Sequence, residues 1–205
     1  MNVELFIAGT DTPSAIVEWA MAEVLHNPKI MAKAKQEFSA NFGKSENIRE
    51  KDMTQLPYVT AIIKETIRLH GPTSLLLPHY SQTDVELRGY YIPKHTLIYV
   101  NAWGISRDKM YWDEPEVFNP ERFMNSEFDF QGQSSCFLPF GAGRRICLGY
   151  SLGVRMMFLM IATFIHRFDW KLPDGLTPEN MNMEEKASAT LHKKDPLVSI
   201  PLSNN

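Results

Sequence analysis

The chain has 205 residues, 44% of them hydrophobic and 22% charged, and it carries a formal net charge of −3. This is the composition of a globular protein with one domain or two small ones, and the weak negative charge gives no reason to expect a nucleic-acid partner. The two cysteines, Cys136 and Cys147, argue against a disulfide framework and suit a reducing compartment. No apolar stretch reaches the roughly 20 residues that span a bilayer, so the sequence predicts no membrane anchor in this chain.

The first predicted elements are two helices. Apolar residues recur at helical spacing over residues 3–25, and an interruption is expected at Pro13. The pair Asn27-Pro28 ends this helix, because the residue before a proline avoids the helical region. Pro28 then suits the first turn of a second helix that extends to about Phe42.

The segment Ala-Gly-Thr-Asp-Thr stands before Pro13, at residues 8–12. A small residue and a glycine inside a helix leave room for a ligand to lie against the backbone. A threonine hydroxyl can bond to a carbonyl of the preceding turn and open the helix locally. Asp11, beside Thr12, can carry a proton. The alternative is an ordinary helix that contains a glycine and two threonines.

A third helix is predicted over residues 54–70, with one apolar face and a break at Gly71-Pro72. Glu65 and Arg68 are three residues apart in it and therefore share one face. As an exposed pair they would contribute little to stability, but the same helix also carries Ile62, Ile63 and Ile67.

The middle of the chain reads as short strands followed by irregular structure. β-branched and aromatic residues predict strands at residues 75–77, 85–87, 91–92 and 96–100. Residues 101–138 are irregular and rich in aromatic side chains, with helical turns predicted near residues 102–107 and 115–118. Long irregular stretches in a domain usually have a functional reason.

Residues 139–149, with the sequence Pro-Phe-Gly-Ala-Gly-Arg-Arg-Ile-Cys-Leu-Gly, carry most of the information about function. Glycines let the backbone pack against a flat cofactor. The start of a helix predicted over residues 148–167, together with two arginines, favours Cys147 as a thiolate, the form that binds a haem iron. The alternative is a glycine-rich loop before a structural cysteine. Strands are predicted after the helix, at residues 168–171 and 197–201.

The pattern Phe140-x-x-Gly143-x-Arg145-x-Cys147-x-Gly149 resembles the haem-binding signature of the cytochrome P450 family. Residues 8–12, Glu65-x-x-Arg68 and Pro-Glu-Arg-Phe at residues 120–123 are similar to three further motifs of the family, in the family's order. The resemblance implies a mainly α fold with small β-sheets (α+β), the C-terminal portion of the P450 fold, of a plant microsomal type. It divides the chain into a distal helix (2–25), a Glu-x-x-Arg helix (54–70), a small sheet (75–100), a meander (101–138), a cysteine loop (139–149), a proximal helix (148–167) and C-terminal strands (168–202).

The resemblance also implies roles for individual residues. Cys147 would be the axial ligand of the iron of haem b (iron protoporphyrin IX). The other haem-contacting residues would be Phe140, Gly141, Gly143, Arg145, Gly149, His79, Ala8 and Gly9. Thr12 and Asp11 would deliver protons during oxygen activation, and Glu65, Arg68 and Arg122 would form a structural triad. The substrate pocket would be lined by Thr73, Leu75, Leu76, Leu77, Ala189 and Thr190, although core packing is the alternative for the leucines and a structural role is the alternative for His79.

The function implied by the resemblance is that of a haem-thiolate monooxygenase. Such an enzyme inserts one oxygen atom from O₂ into a small lipophilic substrate, here in plant specialised metabolism. NADPH–cytochrome P450 reductase would supply the electrons at the cytosolic face of the endoplasmic reticulum membrane. Because the motifs are those of the family's C-terminal half, we expect a chain without the family's membrane anchor and N-terminal helices. The alternative function is therefore a truncated, inactive fragment that binds haem weakly or not at all.

Overall fold

The computed structural model describes residues 3–43, 46–186 and 190–203. The helices in these ranges are α1 (Val3–His26), α2 (Pro28–Asn41), α3 (Pro57–His70), α4 (Ala102–Ile105) and α5 (Tyr150–Arg167). The strands are β1 (His79–Tyr80), β2 (Val85–Leu87), β3 (Tyr90–Ile92), β4 (Leu97–Ile98), β5 (Phe168–Lys171), β6 (Glu185–Lys186), β7 (His192–Lys193) and β8 (Ile200–Ser203). Single 3₁₀ turns lie at Glu50–Gln55, Pro120–Phe123, Gly143–Arg145 and Pro178–Asn180. The predicted fold class, mainly α with small sheets, is confirmed.

The core lies where α1, α3 and α5 pack against one another, with α2 closing one side. Each of these helices buries an apolar stripe at helical spacing, as in Ile62 of α3 and Phe158, Ile161 and Ile165 of α5, all of which are fully buried. Such stripes account for most of the stability of helices in a folded domain. The first two turns of α1 behave differently, because residues 5–10 are all exposed.

Helix α1 continues through Pro13, so the predicted interruption was wrong. A proline inside a helix removes one backbone hydrogen bond, here the bond to the carbonyl of Gly9. Pro13 and much of the helix that follows it are buried, including Ile16 and Trp19. This burial compensates for the lost bond. Asn2, in the predicted range of this helix, lies outside the described residues.

Helix α3 begins at Pro57, and its N-terminus is capped by a side chain from α2. The Glu37 carboxylate accepts hydrogen bonds from the backbone N–H groups of Tyr58 (2.7 Å) and Val59 (3.1 Å). Burial raises the pKa of Glu37, although these two bonds and the charge of Lys33 act in the opposite direction. The cap fixes the start of the helix that carries Glu65.

Replacing Glu37 with alanine is expected to lower the free energy of unfolding by about 1–2 kcal/mol, because two N–H groups of the first helical turn lose their acceptor. Urea denaturation followed by circular dichroism measures this change. Gln36→Ala, on the exposed face of the same helix, is the matched control and should leave the midpoint nearly unchanged. Equal effects of the two substitutions would show that the cap has no energetic role.

The strands form antiparallel pairs within the described ranges: β1 with β4, β2 with β3, β5 with β8 and β6 with β7. The predicted strand at residues 75–77 was wrong. Ser74 and Leu75 form a turn, and Leu76 has a φ of 50°, a left-handed conformation that bulky residues rarely adopt. The chain therefore bends sharply where the apolar run indicated an extended segment.

Other differences concern boundaries. The helical turn predicted near residues 115–118 is instead a 3₁₀ turn at Pro120–Phe123, and α5 begins at Tyr150 rather than at residue 148. Strand β8 begins at Ile200, whereas the prediction started it at residue 197. Strands β6 and β7 were not predicted, because each is two residues long and polar.

Candidate functional site

The cysteine loop, residues 139–149, folds back on itself just before α5. Gly141 and Gly143 have φ angles of +74° and +65°, which L side chains rarely adopt. The Cys147 backbone N–H donates to the Phe140 carbonyl at 3.0 Å, and the Ile146 N–H donates to the Gly143 carbonyl at 3.2 Å. These bonds fix the loop and leave the Cys147 thiol exposed, three residues ahead of the helix.

The surroundings of the thiol are open and carry positive charge. Leu148 is 98% exposed, and the side chains of Arg144 and Arg145 are exposed as well. A Cβ built on Gly149 would lie 3.9 Å from the Cys147 sulfur, so the glycine leaves that flank free. The N-terminal end of α5 adds the positive end of its dipole. The loop thus presents one sulfur donor on an accessible surface.

Phe140 anchors the loop to the rest of the molecule. Its ring lies against α5, where a Cβ on Gly153 would be 3.7 Å away, and its ring centroid is 6.4 Å from that of Phe130 in the meander. The meander also touches the loop through Gly132. A Cβ at Gly132, which has a φ of +66°, would lie 2.2 Å from the Gly141 carbonyl oxygen, so no side chain fits there.

The exposed first turns of α1 contain Ala8 and Gly9. A Cβ on Gly9 would meet no atom within 4 Å, so the helix offers an open, flat surface at this position. Pro13 has no N–H to donate to the Gly9 carbonyl, which leaves that carbonyl without its helical donor. This part of α1 can therefore accept a ligand against its backbone.

Asp11 and Thr12, the predicted proton carriers, are neighbours in α1 and both are partly exposed. Asp11 Oδ2 lies 3.5 Å from Nε2 of His192, on β7. The Thr10 hydroxyl donates to the Phe6 carbonyl at 2.9 Å, whereas the Thr12 hydroxyl has no such bond among the described residues. The hydroxyl of Thr12 is thus available, and the carboxylate beside it reaches a second titratable group that sequence analysis did not identify.

The three residues of the predicted triad lie together. Arg68 donates to Glu65 through Nε (2.7 Å) and Nη2 (2.9 Å), and Arg122 Nε donates to Glu65 Oε1 at 3.1 Å. The backbone N–H of Asn119 adds a bond to the same oxygen at 2.8 Å. The side chains of Glu65 and Arg68 are fully buried and that of Arg122 is 12% exposed. Such a charge set needs additional acceptors for its surplus cation.

Backbone carbonyls of the meander supply those acceptors. Arg68 donates to the carbonyls of Ser106, Pro115 and Val117. Arg122 donates to those of Asp113, Glu114 and Val117. The guanidinium of Arg68 also lies 5.3 Å from the centre of the Trp112 ring. The triad therefore folds the meander onto α3 and so supports the segment that contacts the cysteine loop.

The predicted pocket residues at 73–77 lie beside the cysteine loop. Leu76 Cδ1 lies 3.8 Å from where a Cβ on Gly141 would be, so this leucine covers the loop. Thr73, Leu75 and Leu77 are exposed.

The C-terminal wall of the predicted pocket joins the same region. The N–H of Leu191 donates to the Pro72 carbonyl at 2.9 Å. This bond places the segment that begins at Thr190 beside the start of residues 73–77. Ala189 lies outside the described residues. The residues next to the two predicted walls, Pro72 and Leu191, are therefore hydrogen-bonded to each other.

His79 is half-buried at the start of β1, opposite Ile98 of β4. Like the exposed Arg145, it carries hydrogen-bond donors that can pair with an anionic group. The exposed thiol, the open glycine surfaces and these two donors fit a flat, carboxylate-bearing macrocycle such as haem. Among the described residues, no group of three or more His, Cys, Asp and Glu could hold a bare metal ion.

In the described ranges, no helix combines the length and apolar character needed to cross a bilayer.

The sequence of this chain is similar to those of known proteins. The sequence model of the family described as Cytochrome P450 matches residues 2–200. Cytochrome P450 76AD1 of Beta vulgaris is 48% identical over 200 residues, which are 98% of this chain and 40% of that protein. Geraniol 8-hydroxylase of Swertia mussotii is 46% identical over 204 residues, 98% of this chain and 41% of that protein. The chain thus spans about 40% of the length of these relatives.

Solved structures give the same result. A zebrafish cytochrome P450 structure with progesterone superposes with a TM-score of 0.86 at 31% identity, covering 98% of this chain and 44% of that one. A zebrafish cytochrome P450 structure with abiraterone gives a TM-score of 0.88 at 31% identity, covering 98% and 46%. Family model, relatives and structures agree with the motifs around Cys147 and Glu65, and the chain belongs to the cytochrome P450 family.

Proposed function

We propose that this chain carries the haem-thiolate half of a monooxygenase that inserts one oxygen atom from O₂ into a small lipophilic substrate. The observation that carries the proposal is the exposed Cys147 thiol, held by a hydrogen-bonded glycine loop at the N-terminus of α5. Haem b, when bound, supplies the activation of O₂, and a thiolate ligand favours cleavage of the O–O bond. Electrons come from NADPH–cytochrome P450 reductase at the endoplasmic reticulum membrane.

The chain's own residues hold the cofactor in this proposal. Cys147 would bind the iron through its sulfur, and Gly143 and Gly149, both exposed, would keep the backbone around it free of side chains. Gly141 is buried under Leu76 and would hold the turn of the loop. Arg145 and His79 donate hydrogen bonds to the carboxylates of the macrocycle. Ala8 and Gly9, in the exposed first turns of α1, would leave space for O₂ and substrate because neither has a bulky side chain.

Asp11 and Thr12 move protons in the proposed reaction. The unengaged hydroxyl of Thr12 can pass on a proton, and Asp11 can replace it from solvent, because its carboxylate is partly exposed. His192, 3.5 Å from that carboxylate, is the next group on this route.

The proposed substrate is apolar and small. The walls near the cysteine loop are leucines, Leu75 to Leu77 in sequence, with the hydroxyls of Thr73 and Thr190 as the polar groups. One relative is named for hydroxylation of geraniol, a small lipophilic alcohol, which makes geraniol a suitable first probe. We propose a role in plant specialised metabolism.

A second candidate is a half-domain without turnover. Large apolar side chains are exposed at two places, Leu5, Phe6 and Ile7 at the start of α1 and Leu148 and Leu152 near the cysteine loop. A chain with such a surface can bind haem weakly and still lack a closed substrate pocket.

The reduced, carbon-monoxide-bound difference spectrum of the chain with haem tests the proposal. A strongly red-shifted Soret band supports thiolate ligation through Cys147, and a band typical of imidazole or neutral thiol ligation contradicts it. Product formation from geraniol, with NADPH and reductase present, then separates a working enzyme from the half-domain.

Replacing Thr12 with alanine is expected to lower the rate of product formation about 100-fold, the lower end of what positioned proton transfer contributes. The carbon-monoxide spectrum should not change, because Thr12 does not bind the iron. Thr10→Ala is the matched control, since its hydroxyl is already bonded to the Phe6 carbonyl. Equal rates for the two variants would exclude Thr12 from proton delivery.

A further inference from the structure

A buried charged cluster lies between α1, α3 and the β6–β7 hairpin. Its centre is His70, the last residue of α3, which is 5% exposed. The ring Nε2 of His70 lies 2.7 Å from Glu23 Oε1 on α1, and Nδ1 lies 3.0 Å from Glu185 Oε1 on β6. Each nitrogen of one ring thus contacts a carboxylate from a different element.

This geometry ties the ring to two elements at once. Each ring nitrogen of His70 lies within hydrogen-bond distance of a carboxylate oxygen, one on α1 and one on β6. Burial acts to raise the pKa of Glu185, but the hydrogen bond and charge of His70, with the charge of Arg107 and a bond from Trp103, hold it below its ordinary value of 4.5. The carboxylate of Glu185 therefore lies between the His70 ring and the guanidinium of Arg107.

The other strand of the hairpin is held by Trp19. Its ring stacks on that of His70, with centroids 3.8 Å apart and planes 2° from parallel. Its indole N–H donates to the carbonyl of Leu191 at 3.4 Å, and Nζ of the buried Lys193 lies 4.9 Å from the ring centre. Trp19 and His70 together therefore contact β6 through Glu185, β7 through Lys193, and Leu191, the residue before β7.

We propose that Trp19, Glu23, His70 and Glu185 form a hairpin clamp, in which Trp19 and His70 are positioning residues that fix the substrate wall beginning at Thr190. Leu191 follows Thr190 directly and is bonded to Pro72, at the base of the loop that carries Leu76. The clamp thus fixes the position of the segment that begins at Thr190 relative to residues 73–77 and to α1. This inference rests on the proposed function in one respect, the identity of that wall as a substrate contact.

Hydrogen–deuterium exchange on the intact chain tests the clamp without haem. Glu185→Gln removes the negative charge that His70 faces, and exchange at residues 184–186 and 190–194 is expected to increase about tenfold at neutral pH. Glu184→Gln is the matched control, because Glu184 is the preceding residue and its bond to Lys194 is exposed. Exchange unaffected by Glu185→Gln, or affected equally by both variants, overturns the clamp.

Two further variants separate the clamp from general destabilisation. His70→Phe keeps a ring to stack on Trp19 but loses both donors, and it should accelerate exchange in the same segments. Combined with Glu185→Gln it should add little, because both act on one interaction. Full additivity of the two effects overturns the coupling. The wild-type chain should exchange these segments more slowly than Glu185→Gln only while Glu185 is charged. The difference in exchange rate between the two should therefore vanish in acid, as the pH falls below 4.5 and through the lowered pKa of Glu185.

The role of the clamp in positioning the substrate wall is tested by measuring the affinity of the chain for geraniol. In the haem-loaded chain, Glu185→Gln is expected to weaken geraniol binding several-fold while the carbon-monoxide spectrum stays unchanged, and Glu184→Gln should change neither. Unchanged geraniol affinity in Glu185→Gln overturns the positioning role. A missing thiolate band in the wild-type chain, with the exchange results as expected, contradicts the proposed function and supports the clamp.

Discussion

Replacing Glu65 with glutamine is expected to lower the free energy of unfolding by about 3–5 kcal/mol, a large part of the 5–15 kcal/mol that holds a typical domain folded. Glu65 is fully buried and accepts bonds from Arg68, Arg122 and the Asn119 N–H. Without its charge, two guanidinium groups remain next to each other in the interior with backbone carbonyls as their acceptors. We therefore expect the meander to detach from α3 and exposure of tryptophan to accompany it.

Urea denaturation followed by tryptophan fluorescence measures this effect, because Trp112 lies beside Arg68. Asp174→Asn is the matched control. Asp174 also pairs with a cation three residues away, Lys171, but its side chain is 97% exposed. An exposed pair of this kind contributes about 0–1 kcal/mol. If the two variants unfold at similar urea concentrations, burial of the triad does not matter to stability.

Replacing Cys147 with serine is expected to abolish the red-shifted Soret band of the reduced, carbon-monoxide-bound chain. Serine keeps the size of the side chain but removes the sulfur that would bind the iron. The unfolding midpoint should change little, because the Cys147 side chain is exposed and only its backbone takes part in the loop's hydrogen bonds. Loss of the spectrum without loss of stability is the signature of a ligand rather than a structural residue.

Cys136→Ser provides the control for this result. Cys136 is buried against Trp112, Phe123 and Phe137, and its sulfur lies 3.1 Å from the Ser134 hydroxyl. A serine in this apolar cluster is expected to cost about 1–3 kcal/mol in stability while leaving the Soret band in place. A band that survives in Cys147→Ser and disappears in Cys136→Ser would reverse the roles assigned to the two cysteines.

The helices were predictable because their signals are local. The apolar residues of α1, α3 and α5 recur every three or four positions, and Pro28 marks the first turn of α2. Helix α3 was predicted from residue 54, but it begins at Pro57. The strand at residues 75–77 was predicted wrongly because that prediction also used only local signals. A run of leucines indicates an extended segment, whereas the left-handed conformation of Leu76 depends on the cysteine loop beneath it, more than 60 residues further along the chain.

In the candidate site, too, the residues in short sequence patterns could be predicted, and those brought together from distant segments could not. The residues around Cys147 and the pair Glu65 and Arg68 could be identified, because each set forms a short pattern in the sequence. The contact of Arg122 with Glu65, 57 residues away, came only from the resemblance to a family. His192 beside Asp11 and the cluster around His70 were not predicted. These groups come from different segments, His70 being 47 residues from Glu23 and 115 from Glu185, and no spacing rule connects them.

Gly132 has a consequence for how the chain tolerates change. It lies in a polar stretch of the meander, outside every motif, and a residue with any side chain there would place a carbon 2.2 Å from the Gly141 carbonyl oxygen. The meander and the cysteine loop therefore meet backbone to backbone and move as one piece. In a map of all single substitutions, position 132 should be as intolerant as the cysteine itself, while its neighbours Gln131 and Gln133 accept most residues.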